Sequence, residues 1–146
     1  MFELLPGTGL ALPHNAGVLR FGMSEREAQW AVATLADVRE TWVCQAGWAF
    51  TACHEGLELL AYGDSRDRLG RAEHERDGLA AVQLRRCGST PTGPSAVPVV
   101  LQDVDLFGYP ATEVLAVLTN PHPTVSLPPA QPPAAYLPTV RLSARF

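Results

Sequence analysis

Cys53-His54-Glu55 places a thiol, an imidazole and a carboxylate in a row, the residue types from which a nucleophile, a base and an orienting group are drawn. Neighbouring residues of a strand point to opposite faces, however, so Cys53 and His54 should not easily meet; a core cysteine beside an exposed turn is the plainer account. Glu73-His74-Glu75 is the one local grouping of histidine with carboxylates. The four histidines, His14, His54, His74 and His122, are spread over loops without the convergence that a metal needs, and no metal site is expected. Asp103 and Asp105, two apart on an expected strand, share a face and could work as paired acid and base, although strand-end carboxylates facing water explain them equally well. Ser89, Ser95, Ser126 and Ser143 lie outside any Gly-x-Ser-x-Gly elbow. All eleven basic residues are arginine, which excludes lysine Schiff-base chemistry and the P-loop lysine. No cofactor is implied.

The elements that must position these residues are organised by two corners of one pattern, Phe21-Gly22-Met23-Ser24-Glu25-Arg26-Glu27-Ala28 and Phe107-Gly108-Tyr109-Pro110-Ala111-Thr112-Glu113-Val114. In the first, Ser24 and Glu27 form a capping box and Gly22 supplies a sharp turn between an apolar run, 18–21, and a helix. In the second, Pro110 suits a first helical turn because its fixed φ is already helical and its missing N–H is not needed there. Two readings fit the recurrence: a two-fold internal repeat with halves at 18–86 and 97–146, or a common junction used twice.

Residues 1–17, with Pro6-Gly7, Gly9, Pro13 and Gly17, read as a loop along the body. A helix over 24–38 carries Ala28, Ala31, Val32, Leu35 and Val38 on one stripe, with Trp30 among Arg26, Gln29, Ala33 and Asp37 on the other side. Trp30 is either covered by the N-terminal loop or a neighbouring turn, or is an aromatic anchor for a partner. Residues 41–62 predict a hairpin turning at His54-Glu55-Gly56, and 63–78 a solvated charged excursion. Strands follow at 79–86 and 99–106, then a short helix at 111–119, apolar nearly all round and so expected to be buried on several sides. A Pro-rich arm at 120–138 precedes a cleanly alternating last strand, Val140 to Phe146, which is either a sheet edge or continues in a longer natural chain. The expected fold is α+β in a single domain: one antiparallel sheet of about five to six strands with one longer and one short helix.

A net charge of −4 without a basic block argues against nucleic acid as partner. No apolar run is long enough to cross a bilayer and no leader pattern opens the chain, so a soluble cytoplasmic protein without membrane contact is expected. Cys44, Cys53 and Cys87 are odd in number and lack metal spacing, which favours reduced thiols.

The two corner phrases, with Gly9-Leu10 ahead of the first, resemble a loose set of uncharacterised bacterial small α+β proteins. The layout also looks like the tandem helix-plus-sheet modules of β-lactamase-inhibitor-like proteins, without their paired cysteines. That resemblance implies a non-catalytic binder and carries over no functional residue. The leading expectation is therefore a non-enzymatic intracellular protein-binding module of inhibitor or immunity type. Its contact residues would be Trp30, Trp42 and Trp48, with an arginine rim at Arg66, Arg68, Arg71 and Arg76. The alternative is a small-molecule-binding domain or enzyme with a pocket between helix and sheet, lined by Trp48, Phe50, Tyr62 and Tyr109, with His54 or Asp105 as acid or base. A third is a homodimer paired through the last strand.

Overall fold

The computed structural model describes residues 1–64, 78–88, 91, 93–118, 122–128 and 135–144. In chain order its elements are β1 (Phe2–Leu5), β2 (Gly9–Ala11), β3 (Val18–Arg20), α1 (Glu25–Ala33), β4 (Arg39–Glu40), β5 (Trp48–His54) and β6 (Leu57–Asp64). There follow β7 (Gly78–Arg86), β8 (Val99–Leu101), β9 (Val104–Asp105), α2 (Ala111–Val117), β10 (Val125–Ser126) and β11 (Thr139–Ser143). The architecture is α+β, but the strands form two sheets rather than one. The first has the order β3-β2-β1-β8-β9 and the second β10-β11-β7-β6-β5-β4. Pairing is antiparallel except between β1 and β8, whose partners lie far apart in the chain, as a parallel pair requires.

The first sheet contains the largest departure from the sequence reading, because residues 1–17 are not a loop. Pro6-Gly7 is the turn of a β1–β2 hairpin, closed by the Thr8 N–H on the Leu5 carbonyl at 2.9 Å. Gly9 lies within a strand beside its antiparallel neighbour β3, so close that a Cβ there would come within 1.8 Å of the Leu19 carbonyl oxygen. The strand expected over 99–106 is likewise a hairpin, since Gln102 and Asp103 take φ of 51° and 66° and fold β9 back on β8. Asp103 therefore sits in a turn and does not share a strand face with Asp105.

The second sheet follows the alternation more closely. In β5, Ala49, Phe50 and Ala52 are buried while Cys53 is exposed, and Leu57, Leu59 and Ala61 of β6 are buried opposite. The last strand, β11, is not an edge. It lies between β7 and β10, because the proline-rich segment returns to pair Val125 with Leu142 and Ser126 with Arg141. A dimer through β11 would have to displace β10. Where described, that segment is no free arm either: Leu137 is fully buried and the Ala135 carbonyl accepts the first N–H of α2 at 2.7 Å.

One apolar core joins the two sheets. Phe2, Leu4, Leu10 and Leu19 from the first meet Phe50, Leu59, Leu84 and Leu142 from the second, with Leu106 and Phe107 from the second corner. The sheets are also bonded backbone to backbone at the first corner. The Gly22 N–H donates to the Leu79 carbonyl at 2.9 Å, and the Leu79 N–H to the Met23 carbonyl at 2.8 Å. Gly22 makes this turn with φ 92°. At the second corner the glycine is needed for a different reason, because a Cβ on Gly108 would lie 2.2 Å from the Asp105 carboxylate and its φ is not positive. Asp105 accepts the N–H groups of Val99 and Phe107 at 3.4 and 3.3 Å, so it braces the corner.

Gly78 is where the first corner meets β7: its φ is 104°, and a Cβ would fall 2.3 Å from the Gly22 carbonyl oxygen. Gly78→Ala combines left-handed backbone strain with a backbone clash, an expected loss of about 2–5 kcal/mol. Urea unfolding of the variant against wild type measures it, and equal midpoints would show that the close approach is not maintained in solution.

Candidate functional site

α1 begins as its residues dictate. Ser24 Oγ accepts the Glu27 N–H at 3.2 Å and donates to Glu27 Oε1 at 3.1 Å. Ala28 and Val32, four apart, are buried against the body. The helix stops at Ala33, earlier than the expected 38, because Thr34 caps it; its hydroxyl donates to the Ala31 carbonyl at 2.8 Å. With Ala28 and Val32 inward, Trp30 lies on the far side of the cylinder. It is 69% exposed, so no loop covers it among the described residues. Beside it lies a shallow concavity of about 340 Å³ formed with Arg26, Gln29, Ala33 and Val38. An indole edge, a guanidinium and an amide thus surround a small apolar floor.

The other expected contact residues divide. Trp42, after β4, is 79% exposed. Trp48 is structural: its ring stacks on Phe50 with centroids 6.0 Å apart and 8° between planes, and it lies so close over Gly63 that a Cβ there would be 2.6 Å from the indole. Arg66, Arg68, Arg71 and Arg76 lie outside the described residues, as do Glu73-His74-Glu75.

The lining of the alternative pocket does not converge. Phe50 is in the core, Tyr109 is exposed, and Tyr62 faces the other side of the sheet, where its hydroxyl accepts from Arg141 Nε at 2.8 Å. His54 and Asp105 are held in different sheets and do not meet. A larger hollow than the one beside Trp30 lies past the end of α1, an open groove of about 960 Å³ whose walls include Asp37, Arg39, Thr51, Glu58, His54 and Glu55. α2 has a single buried side, Ala111 and Val114, while Leu115 and Val117 face outward, contrary to the burial expected from its composition.

Two groupings were invisible in the sequence. His14 and His54, forty residues apart, meet with ring centroids at 5.7 Å. On the outer face, Cys53 lies against Cys87, which follows β7; burial, and then the neighbouring Cys53, push the Cys87 thiol up from its ordinary range. The strand period did set Cys53 and His54 on opposite faces, but the expected core cysteine beside an exposed turn is reversed: Cys53 is exposed and His54 faces inward. His122 serves its own turn, with Nδ1 2.8 Å from Thr124 Oγ1.

Comparison with family models, with curated proteins and with solved structures finds no match to this chain.

Glu25, in the first turn of α1, accepts from Gln29 Nε2 at 3.2 Å. Burial, and then the carboxylate of Glu40, raise its carboxyl above the ordinary value. A raised acid binds its proton more readily folded than unfolded, so its ionisation costs stability as pH rises from 4.5 through the folded value. Glu25→Gln removes that ionisation. The melting temperature of the variant relative to wild type should therefore be higher at pH 7 than at pH 3.5, and a difference independent of pH would show that the raised value is wrong.

Proposed function

We propose that this chain is a non-enzymatic binding module for another protein, of inhibitor or immunity type, and that its contact surface is the outer face of α1 centred on Trp30. The observation that carries the proposal is the 69% exposure of an indole in the middle of a helix whose buried residues are Ala28 and Val32. Trp and Arg are the residue types that most often carry interface energy, and here Trp30 and Arg26 border one concavity. The partner that fits presents an apolar side chain to the floor beside Trp30 and a carboxylate to Arg26. Trp42 extends the aromatic surface. On this reading the protein works in the cytoplasm, where its three free cysteines stay reduced, and the two corners are copies of one module that sets the flanks of the fold. No helix among the described residues is long and apolar enough to cross a membrane.

The test is cross-linking capture from the native host, followed by affinity measurement between purified partner and purified variants. Trp30→Ala should weaken binding by about 30-fold or more, the effect of losing about 2 kcal/mol at a hot spot. Trp30→Phe should retain part of the affinity, and Trp48→Ala should lower thermal stability instead. Equal affinities for wild type, Trp30→Ala and Trp42→Ala would sink the proposal.

A further inference from the structure

Two tight hairpin turns from different sheets come together beside β1. In the turn Pro13–Ala16, closed by the Ala16 N–H on the Pro13 carbonyl at 3.2 Å, the central residues His14 and Asn15 have φ of 58° and 59°. In the turn between β5 and β6, the central residues Glu55 and Gly56 have φ of 48° and 87°. Two left-handed central residues define the type I′ turn, which matches the twist of the strands it joins. His14 and Glu55 are therefore presented from short, tightly defined tips. His54, the last residue of β5, enters from below on the core side.

The environment of His54 is unusual for an imidazole. Its side chain is only 13% exposed, and its ring packs edge-on against Phe2 at 6.0 Å and against His14. Its Nε2 is buried and has no hydrogen-bond partner among the described residues. Glu55 Oε2 stands 3.8 Å from that nitrogen, too far for a hydrogen bond. An unsatisfied buried polar atom is costly, and native chains retain few of them without a use. One donor atom each from His14, His54 and Glu55 lie within 4.8 Å of one another.

We propose that His14, His54 and Glu55 form a binding site for a divalent transition-metal ion of the zinc type. Two imidazoles and a carboxylate are the donor set of a three-ligand zinc site, and the nitrogen donors disfavour magnesium and calcium. Bonds of about 2.0–2.2 Å in a tetrahedron place the donor atoms roughly 3.3 Å apart. The 3.8 Å between His54 and Glu55 is already close to that spacing. The remaining closure falls to His14 and Glu55, which are both exposed and can move, whereas His54 is held by packing. Three protein donors leave a fourth position open. The groove that runs past Asp37 and Thr51 has His54 and Glu55 in its wall, so a water or an anionic group of a molecule bound there would complete the coordination. The site is independent of the Trp30 surface.

Cobalt(II) titration of the purified wild-type protein, followed by its visible absorption, tests the assignment. The expected result is one equivalent bound with the intense d–d bands of a four-coordinate ion, displaced by zinc, and without a thiolate charge-transfer band. His14→Asn, which keeps a residue tolerant of the left-handed turn, and Glu55→Gln should each weaken binding by about 100-fold or more, since even outer-shell changes cost on the order of 10–100-fold. His54→Gln should abolish binding; if that variant fails to fold, the two exposed turn variants decide alone. His122→Ala serves as a control and should bind as wild type. Substoichiometric binding, affinity unchanged in both turn variants, or a thiolate band placing the ion on cysteine would each overturn the assignment.

Discussion

At Gly78 the backbone of β7 and the backbone of the first corner come so close that no side chain fits between them. The rest of the molecule depends on that approach. The two hydrogen bonds linking Gly22, Met23 and Leu79 join the edge of the first sheet to the interior of the second, at the point where α1 begins. Remove them, and α1 keeps its Ser24 cap but loses the register that places Ala28 and Val32 over the core. Trp48, lying over Gly63 next to the same point, seals the approach from one side. Hydrophobic burial supplies the driving force for the collapse of the two sheets, yet it is non-directional; the glycine-mediated contact fixes how they meet.

Close junctions of the same kind recur in the hairpins. Among the described residues, three turns place two successive residues at positive φ: His14-Asn15, Glu55-Gly56 and Gln102-Asp103. Only one of the six is glycine. For His, Asn and Asp the left-handed region is comparatively accessible, through local polar contacts of short side chains, while for Glu and Gln it is costlier. The chain accepts that cost because a two-residue type I′ loop holds its strands in one register. Strict register places the β5 terminus against β1, and this brings His54 under His14 although nothing in their local sequences links them.

How far the sequence could be read follows from which features are local. Ser24 and Glu27 announced the start of α1, the alternation of 79–86 and 140–144 announced β7 and β11, and the helical period placed Trp30 outward. These are properties of neighbouring residues. Glycine and proline in 1–17 misled, because the same residues that break elements also make hairpin turns and allow paired strands to approach closely; Pro6-Gly7 does the first and Gly9 the second. The short helix α2 misled in the opposite sense, since apolar composition specifies what can be buried and not what is available to cover it, and Leu115 and Val117 face outward. The division into two sheets, the return of the proline-rich segment as β10, and the meeting of the two histidines all depend on contacts between distant segments. Periodicity contains no record of these.

Trp30 and His54 are two side chains whose identity the fold does not require. α1 is only nine residues long and is held by its cap, Ala28 and Val32; a glutamine or arginine at position 30 would serve helix formation as well as tryptophan, with no indole left in water. Position 54 is the converse case. It is flanked by Phe2 and Leu57 and could accept an apolar side chain, which would avoid an unsatisfied nitrogen. One residue exposes what folding would bury, and the other buries what folding would expose. When local rules agree throughout a sequence except at isolated positions without compensation from packing, those positions are where selection for something other than stability is expected to act. That is why we propose a binding face at Trp30 and an ion at His54, whereas Asp105, whose carboxylate is consumed in bracing the second corner, is assigned to the fold alone.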